Sequence, residues 1–489
     1  MKNQVQLITY VDRICPGGLA DLRALLTNGA LQGLFGGVHL LPFFYPIDGA
    51  DAGFDPIDHT AVDPQLGGWN DVKDLSGSVE LMADLIVNHM SNESPQYQDF
   101  HQLGAKSRFA GLFLTFDSVF PKGATEVDLL GIYRPRPGLP FLATILASGE
   151  RRLLWSTFTP KQIDINVHHP EGVAYLDSIL GRFQEAGVNA IRLDAAGYAI
   201  KKPGTSCFMI PETYAFISEL SAKAQALGIE VLVEIHSHYL EQVEIAKRVD
   251  RVYDFALPPL VLHALFTGQA GYLKQWLTIS PRNAVTVLDT HDGIGVIDVG
   301  GDSAGRPGLL PPAEIDALVE TIHERSGGQS RQATGAAASN LDLYQVNCTF
   351  YDALGQRDTE YLIARALQFF SPGIPQIYYV GLFAGENDMG LLERCKVGRD
   401  INRHYYNAKE IELAVHKPVV QKLFELIRFR NIHGAFNGAF EVESSAPGLL
   451  MLAWRNVGHW ATLDVDFTKF TAVIRYSESN GGKTLTLEI

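Results

Sequence analysis

The sequence predicts an α/β fold, a (β/α)8 TIM barrel with two inserted loop domains, B and B′, and a small C-terminal antiparallel β domain. Three observations predict this fold class: eight short apolar runs of strand length, helix-like stretches between several of them, and a change to strict polar/apolar alternation near the end of the chain. With 489 residues, of which 46% are hydrophobic, the chain is long enough to bury a large core and to form several domains.

The predicted barrel strands are continuous apolar runs, which are typical of strands buried on both faces. In chain order they span residues 5–10, 37–44, 81–88, 190–195, 230–236, 251–257, 284–292 and 372–380. Helix-like stretches at 173–186, 211–227 and 240–248 lie between some of them. This alternation of strands and helices is expected of a parallel barrel.

Two gaps between the predicted strands are too long for ordinary loops of about 2–6 residues. One lies between Asn88 and Ala190, the other between Asp292 and Pro372, and we predict that both contain inserted domains. After residue 434 the alternation in 463–467 and 485–489 indicates half-buried antiparallel strands. The predicted organisation is catalytic barrel 1–87, 168–293 and 356–434, inserted domain B 88–167, inserted domain B′ 294–355, and C-terminal β domain 435–489.

Composition and charge exclude several classes of protein. Forty Lys and Arg against 55 Asp and Glu give a formal charge of -15, which disfavours binding to nucleic acid or to an anionic membrane. The four cysteines, Cys15, Cys207, Cys348 and Cys395, form no CxxC pair, which disfavours a disulfide framework or a structural zinc site. The apolar amino-terminal run has no small-residue cleavage site after it. We therefore expect a cytoplasmic protein, either a monomer or a homodimer.

Acidic and histidine side chains mark the ends of four predicted strands. They are Asp84 and His89, Arg192 and Asp194, Glu234 and His236, and His291 and Asp292. In a barrel of this type the carboxyl ends of all strands meet at one mouth. Each acid alone is more simply explained as a helix cap or half of an ion pair. Together they predict an active site, because several charges at one mouth are costly to desolvate without a function.

These four strand ends resemble, in order, the four short sequence regions that characterise the α-amylase superfamily, glycoside hydrolase family 13. Longer stretches are similar to its sucrose phosphorylase subfamily, and they span residues 49–60, 134–140, 199–208, 290–295, 341–345 and 398–403. The second resemblance covers nearly the whole chain. It implies an enzyme that transfers a glucosyl group with retention of anomeric configuration.

The resemblance implies three catalytic residues: Asp194 as nucleophile, Glu234 as general acid and base, and Asp292 as stabiliser of the transition state. Arg192 lies two residues before Asp194 on the same strand face, so we expect it to lower the pKa of the nucleophile. Glu234 would need a raised pKa to hold its proton until the leaving group departs. Retention requires the two carboxyl groups to lie about 5–5.5 Å apart.

The resemblance also implies two groups of binding residues. On the glucosyl side they are Asp51, Phe54, His89, Phe158, Gln162, Arg192, Tyr198, His291 and Arg399. On the phosphate and fructose side they are Tyr133, Pro135, Arg136, His236, Leu341, Asp342, Leu343, Tyr344 and Gln345. We expect His89 and His291 to donate hydrogen bonds to sugar hydroxyls, and Asp51 with Arg399 to hold the non-reducing edge of the ring. For Phe54, Phe158 and Tyr198, ordinary core packing is the alternative explanation.

Phosphate approaching three carboxylates is repelled, so a phosphorylase needs hydrogen-bond donors or cations beside the anomeric carbon. Arg136, His236 and Tyr344 are predicted to supply them, although a solvated surface position is the alternative for Arg136. Asp342 would repel phosphate where it had accepted hydrogen bonds from fructose. We hypothesise that the loop before Leu341 moves Asp342 away after fructose leaves, while Arg136 turns inward.

The function that the resemblance implies is reversible phosphorolysis of sucrose by inorganic phosphate, giving α-D-glucose 1-phosphate and D-fructose, with transglucosylation to other acceptors. The alternatives are a sucrose 6-phosphate phosphorylase, a retaining α-glucosidase or sucrose hydrolase, and an inactive barrel that serves as a binding module. We expect no cofactor, because no Gly-rich phosphate loop follows a strand. We expect no metal, because Asn88 alone is a weak sign of the calcium region of many amylases.

Overall fold

Eight parallel strands close into a barrel in the computed structural model of the chain, which describes residues 1–14, 16–49, 51–135, 138–302, 305–334, 345–477 and, by their backbone, 484–488. The barrel strands are β1 (Gln6–Thr9), β2 (Gly37–Leu40), β3 (Glu80–Ile86), β4 (Ala190–Asp194), β5 (Glu230–Val233), β6 (Arg251–Asp254), β7 (Ala284–Thr286) and β8 (Ile374–Tyr378). Their order around the barrel follows the chain, and β8 closes it by pairing with β1, Gln376 opposite Gln6. The predicted fold class is confirmed.

Each predicted apolar run overlaps one barrel strand, but β3 begins one residue before its run and several strands end earlier than predicted. The run 284–292 contains only Ala284–Thr286, and the run 230–236 contains only Glu230–Val233. The apolar sequence continues beyond the last residue that pairs with a neighbouring strand, because the loop residues that follow are also buried. Ile235 and Leu288 are examples. Glu234 and Asp292 consequently lie in loops just beyond their strands, at the mouth of the barrel.

Helices pack around the barrel, and the three predicted ones are present at Pro170–Glu185, Pro211–Ala226 and Tyr239–Ile245. Proline occupies the first turn of the two longer ones, where its missing N–H costs no helical hydrogen bond. The other helices outside the two inserts are Val11–Ile14, Leu19–Thr27, Trp69–Ser76, Leu257–Thr267, Gly271–Ile279, Asp358–Phe370, Tyr379–Leu382, Met389–Cys395, Ala408–Val415 and Pro418–Ile432.

The segment between β3 and β4 has secondary structure of its own. Its first and last strands, His89–Ser91 and Gln162–Asp164, pair with each other and place His89 opposite Asp164. Between them lie a second strand pair and three helices: Phe141–Ile145 with Arg151–Trp155, and Pro95–Leu103, Phe116–Val119 and Glu126–Gly131. This pairing returns the chain to the barrel mouth, so that the segment forms a wall beside it.

The segment between β7 and β8 is tied to the barrel in a similar way. Strand Ile294–Gly295 pairs with Gln345–Val346, and helices Pro312–Arg325, Gln329–Thr334 and Phe350–Ala353 lie in the same segment. A further short pair, Phe44–Tyr45 with Asp58–Val62, follows β2. The boundaries of the predicted domains stay a prediction.

The end of the chain forms a five-stranded antiparallel sheet. Its strands are Ala439–Glu443, Leu449–Asn456, His459–Asp466, Thr471–Ser477 and Thr484–Glu488. One face buries Leu452 and Leu463 completely, as the alternation predicts. Trp454 Nε1 donates a hydrogen bond to the carbonyl oxygen of Phe370 at 2.8 Å, which ties the sheet to the barrel helix Asp358–Phe370.

None of the helices in the described part of the chain has both the length and the apolar character that a membrane span requires. Among the described cysteines, Cys207, Cys348 and Cys395 carry free thiols, and two of them, Cys207 and Cys348, are buried. The hydrophobic core extends from the barrel into the surrounding helices and the C-terminal sheet as one cluster. The mouth of the barrel is the place where this apolar interior meets a group of buried charges.

Candidate active site

A cavity of about 480 Å³ opens at the carboxyl ends of the barrel strands. The sequence-predicted residues that line it are Asp51, Phe54, His89, Pro135, Phe158, Arg192, Asp194, Tyr198, Glu234, His236, His291, Asp292, Gln345 and Arg399. They come from the ends of β3, β4, β5 and β7, from the loops that follow β2 and β8, and from the two inserts, which contribute Pro135, Phe158 and Gln345. The volume suits a disaccharide-sized ligand.

Arg192 joins the carboxylates that are predicted to be catalytic to Asp84 behind them. Its Nη1 donates to Asp84 Oδ1 at 2.6 Å and to Asp194 Oδ1 at 2.8 Å. Asp84 lies on β3 directly beside Arg192 in the register, and its other oxygen contacts His39 Nε2 at 3.1 Å. Burial raises the pKa of Asp84, but His39 and Arg192 outweigh it and hold the pKa at about 2. The guanidinium is therefore fixed by an ionised carboxylate behind it.

The pKa of Asp194 differs from the sequence expectation. Arg192 lowers it as expected, but burial has a larger and opposite effect, and the nearby Glu234 carboxylate raises it further, to about 8. The expectation of a net lowered pKa was wrong because the depth of burial is not visible in the sequence. Burial and the neighbouring carboxylate of Glu234 therefore outweigh the effect of Arg192 on the pKa of Asp194.

Glu234 lies on the other side of the same guanidinium. Its Oε2 is 3.9 Å from Arg192 Nη2 and accepts a hydrogen bond of 3.4 Å from the backbone N–H of Ala195. Ala195 adopts a left-handed conformation with φ 54°, which turns the chain sharply just after the nucleophile. Asp194 and Glu234 are thus held on adjacent nitrogens of one side chain.

Two arginines and a histidine surround the carboxylate of Asp292. Arg399 Nη1 lies 2.8 Å from its Oδ1, Arg403 Nη2 lies 3.9 Å from the same oxygen, and His291 Nε2 lies 3.7 Å from Oδ2. Burial raises the pKa of Asp292, but these neighbours lower it far below the ordinary range. Arg403 Nε also donates to the carbonyl oxygen of His291 at 2.8 Å, which fixes the loop after β7.

Phe54 and His291 form an aromatic floor on the glucosyl side. Their rings stack with centroids 4.8 Å apart and planes 12° apart, and the Arg192 guanidinium carbon lies 5.5 Å from the Phe54 centroid. Burial lowers the pKa of His291 to about 3, so its imidazole is neutral. Phe158 contacts both Tyr198 and His89 edge-on at 5.1 Å and 5.6 Å. These rings line the cavity and do more than fill the core.

His89 is oriented by the backbone. Its Nε2 donates to the carbonyl oxygen of Phe54 at 2.9 Å, and burial lowers its pKa, so the ring is neutral and carries its proton on Nε2. Its Nδ1 is buried and has no partner among the described residues. The neutral ring therefore has an acceptor at Nδ1 and has already used its one N–H, whereas the sequence expectation gave His89 the role of a donor to sugar hydroxyls.

Gln162 lies behind the cavity instead of lining it. Its Nε2 donates to Asp51 Oδ2 at 3.1 Å and to the carbonyl oxygen of Phe54 at 3.2 Å, and its side chain is fully buried. It orients Asp51, which does line the cavity. The sequence expectation of a direct sugar contact is replaced by this positioning role.

On the acceptor side, His236 stacks on Phe255 with ring centroids 3.8 Å apart. Tyr133 stacks on Phe208 at 4.3 Å and lines an adjoining cavity of about 170 Å³, which Pro135 also lines. Gln345 lines the main cavity. The predicted residues Arg136, Leu341, Asp342, Leu343 and Tyr344 lie outside the described residues, so the proposed exchange of two loops stays a hypothesis.

Several residues that shape the cavity were not singled out from the sequence. The cavity is also lined by Thr159, Ala195, Gly197, Phe208, Ile235, Ala333, Asn347, Val397 and Gly398. Most are small or apolar, and nothing in their residue types marks them as site residues. Arg403 and Asp298 contact lining residues from behind and do not line the cavity themselves. The one sequence signal for such a residue is a charge in an otherwise apolar stretch, such as Asp298 between Ile297 and Val299.

Glu234, His236 and Asp292 bring their donor atoms within 4.8 Å of one another. We assign no metal to them, because Asp298 already holds His236 Nδ1 and Arg399 already neutralises Asp292. A bound cation would have to compete with both contacts. The group is better described as the polar centre of the cavity.

Comparisons with known proteins show what the chain is similar to. The α-amylase catalytic domain family matches residues 32–245. The chain is 66% identical over 477 residues to a sucrose phosphorylase from Agrobacterium vitis, with 98% of each chain covered. It is 53% identical to a sucrose phosphorylase from Bifidobacterium adolescentis, covering 98% of this chain and 97% of the relative. The crystal structure of a sucrose 6F-phosphate phosphorylase from Thermoanaerobacter thermosaccharolyticum matches with a TM-score of 0.91 and 37% identity over 100% of this chain and 99% of the other.

Proposed function

The chain belongs to the sucrose phosphorylase family within the α-amylase superfamily, and from this we propose that it catalyses the reversible phosphorolysis of sucrose to α-D-glucose 1-phosphate and D-fructose. The observation that carries the proposal is the convergence of Asp194, Glu234 and Asp292 in one cavity, with the first two on a single guanidinium. The similarity of the whole chain to named sucrose phosphorylases supports the choice of substrates.

In the first half-reaction, a carboxylate oxygen of Asp194 attacks the anomeric carbon of the glucosyl unit. The bond between that carbon and the fructosyl oxygen breaks, and Glu234 gives its proton to the departing oxygen. Attack requires Asp194 to be ionised beside Arg192, and proton transfer requires Glu234 to carry a proton. The products are fructose and a covalent β-glucosyl ester of Asp194.

Asp292 contributes through its negative charge. The transition state has oxocarbenium character, and a carboxylate that stays ionised stabilises positive charge on the sugar ring. Arg399 and Arg403 keep Asp292 ionised. On the glucosyl side Asp51 accepts hydrogen bonds from ring hydroxyls, and the Phe54 face packs against the sugar. The binding energy of these contacts holds the anomeric carbon in the orientation that attack by Asp194 requires.

In the second half-reaction, Glu234 accepts a proton from the incoming phosphate while a phosphate oxygen attacks the anomeric carbon. The ester bond to Asp194 breaks, and two inversions give net retention, so that glucose 1-phosphate has the α configuration. Water or another hydroxylated compound in place of phosphate gives hydrolysis or transglucosylation. The catalytic acids serve all of these reactions, so the preference for phosphate must come from the acceptor side.

A sucrose 6-phosphate phosphorylase is the second candidate function. The solved structure of a sucrose 6F-phosphate phosphorylase supports it, at 37% identity, whereas the relatives at 66% and 53% are sucrose phosphorylases by name. The segment 341–345 carries two leucines. An enzyme that binds a phosphorylated fructose unit needs additional basic side chains there. We therefore favour unphosphorylated sucrose. The cytoplasmic location and the choice between monomer and homodimer stay predictions.

The test of this function is product analysis with sucrose in the presence and absence of inorganic phosphate. With phosphate we expect glucose 1-phosphate and fructose in equal amounts, identified by ³¹P and ¹³C NMR, and free glucose only when phosphate is absent. A parallel incubation with sucrose 6-phosphate separates the second candidate. If glucose stays unesterified in excess phosphate, the chain is a hydrolase and the proposal is wrong.

A further inference from the structure

We propose that Asp298 is a positioning residue that holds His236 as an imidazolium facing the acceptor side of the cavity, and that this cation favours phosphate over water as the acceptor. The inference rests on the function proposed above. It concerns a residue that does not line the cavity and acts through another side chain. His236, in contrast, lies in the cavity wall between the catalytic residues and the insert that follows β7.

Asp298 is a fully buried carboxylate with three donors around it. Its Oδ2 contacts His236 Nδ1 at 3.1 Å, and its Oδ1 accepts from Gln242 Nε2 at 3.0 Å and from the backbone N–H of Ser237 at 3.2 Å. Buried charges are expected to be paired, and His236 is the cationic partner that these contacts offer. The geometry therefore favours a doubly protonated ring with one N–H directed at Asp298.

The approach of Asp298 to His236 depends on Gly295. A Cβ at that position would lie 2.6 Å from Asp298 Oδ2 and 3.5 Å from His236 Nδ1. Any larger residue would push the carboxylate away from the ring. Gly295 belongs to the short strand after β7, so the pairing of Ile294–Gly295 with Gln345–Val346 also sets the distance between the insert and His236.

His236 is also held on its other sides. Its ring stacks on Phe255 at 3.8 Å with planes 17° apart, and its Nε2 lies 3.6 Å from Glu234 Oε1. The charged groups that act most strongly on it are Asp298 from the insert, Glu234 from the end of β5 and Asp292 from the end of β7, all of them carboxylates. Burial lowers the pKa of His236, but these three neighbours raise it above its ordinary value.

A fixed cation at this place distinguishes the two acceptors. Phosphate brings negative charge toward Asp194, Glu234 and Asp292, and a charge-assisted hydrogen bond from His236 Nε2–H offsets part of that repulsion. Water carries no charge and gains little from the cation. Loss of the imidazolium should therefore weaken the use of phosphate more than it weakens hydrolysis.

The experiment compares wild-type protein with Asp298→Asn. An asparagine retains an acceptor for Ser237 and Gln242 and donates to His236 Nδ1, so the ring stays in place but becomes neutral. We expect the KM for phosphate to rise at least about tenfold, which corresponds to about 1.4 kcal/mol, while the rate of hydrolysis without phosphate changes by a smaller factor. The rise in phosphate KM with increasing pH should also begin at a lower pH than in wild type.

Two further variants separate a charge effect from a structural one. Gln242→Met removes another partner of Asp298 without touching His236, and we expect its phosphate KM to stay close to that of wild type. In the double variant Asp298→Asn, His236→Gln, the phosphate KM should equal that of His236→Gln alone, because Asp298 acts through the ring. Asp298→Glu should restore part of the loss.

The outcomes distinguish this inference from the proposed function. If wild type makes glucose 1-phosphate but Asp298→Asn has the same phosphate KM and pH profile, the inference is overturned and the function stands. An equal loss of phosphorolysis and hydrolysis in Asp298→Asn also overturns it, since that result indicates a general structural role. If wild type makes no glucose 1-phosphate, the proposed function itself fails.

Discussion

At the scale of single residues, one guanidinium joins carboxylates from three neighbouring strands. Arg192 contacts Asp84 from β3, Asp194 at the end of its own strand and Glu234 just beyond β5. Asp84 already compensates the positive charge, so Arg192 does not fully offset the burial of Asp194. This division of one positive charge explains why the pKa of Asp194 lies above its ordinary value.

We expect Glu234→Gln to separate protonation of the leaving group from nucleophilic attack. Glutamine cannot protonate the fructosyl oxygen, so turnover of sucrose should fall by about 10²–10⁴-fold, the usual contribution of general acid catalysis. α-Glucosyl fluoride needs no such proton because fluoride is a good leaving group. Release of fluoride, measured with an ion-selective electrode, should therefore fall far less than release of fructose from sucrose.

Asp194→Asn is the matched control for this variant. It removes the nucleophile and should abolish turnover of both substrates, since an amide cannot form the glucosyl ester. Equal losses with sucrose and with the fluoride in Glu234→Gln would contradict the acid role of Glu234. Retention of substantial fluoride release in Asp194→Asn would contradict the nucleophile.

Residue types at strand ends were enough to predict which side chains meet, but not their protonation or their exact partners. The sequence shows that Arg192 precedes Asp194, yet burial of Asp194 decides the direction of its pKa shift. It shows a histidine at position 89, yet the carbonyl group of Phe54 decides which ring nitrogen accepts. Both depend on contacts between segments that are distant in sequence.

At the scale of elements, Lys201 fastens the insert between β3 and β4 to the barrel. Its ammonium group lies 2.7 Å from Asp164 Oδ2 on the last insert strand and donates to Asn88 Oδ1 at 2.8 Å. It also donates to the carbonyl oxygen of Tyr198, whose ring lines the cavity, and lies 5.7 Å from the Trp155 centroid. The side chain of Lys201 is only 2% exposed.

We expect Lys201→Met to destabilise the protein by about 3–5 kcal/mol, because the buried carboxylate of Asp164 loses its counter-ion. The KM for sucrose should rise as well, since Tyr198 and the insert wall lose a common attachment. The free energy of unfolding from urea titration and initial rates of fructose release measure the two effects.

Lys202→Met is the matched control, because the neighbouring lysine is 54% exposed and forms only a surface ion pair with Glu212. An exposed pair of this kind contributes little, so both stability and KM should stay close to wild type. Equal effects of the two substitutions would show that Lys201 does not fasten the insert.

The elements themselves followed largely from hydrophobic pattern. Seven of the eight strands fall wholly within predicted runs and β3 begins one residue before its run, because strands buried on both faces need continuous apolar sequence. Strand ends were placed too late, since the loops at the mouth are also apolar. The structure of the inserts was not predicted in detail, because strands of three residues such as Gln162–Asp164 depend on pairing with distant segments.

At the scale of the whole molecule, the protein buries several histidines as neutral rings within a strongly acidic chain. Burial lowers the pKa of His59 to about 4 and that of His291 to about 3, and it lowers the pKa of His89 as well. His59 lies between the Asp84 carbonyl oxygen, 3.1 Å from its Nε2, and the Tyr175 hydroxyl. Its ring contacts Phe44 with centroids 4.2 Å apart.

These histidines should make stability depend on pH between neutrality and about pH 4. A histidine in the unfolded chain takes up a proton near pH 6.5, whereas buried His59 does so only near pH 4. The unfolded state therefore binds more protons in this window, and the free energy of unfolding falls as pH falls. His59 alone should contribute about 3 kcal/mol to this loss, from roughly 1.4 kcal/mol for each pKa unit.

We expect His59→Gln to reduce the change in unfolding free energy between pH 7 and pH 4.5, even if it lowers stability at both values. Glutamine does not titrate, and its amide group is able to donate to the Asp84 carbonyl oxygen in place of Nε2. Urea titrations at the two pH values measure the difference. His168→Gln removes an exposed histidine and should leave the pH dependence as in wild type. The same pH dependence in His59→Gln as in wild type would show that burial of this ring does not govern acid sensitivity.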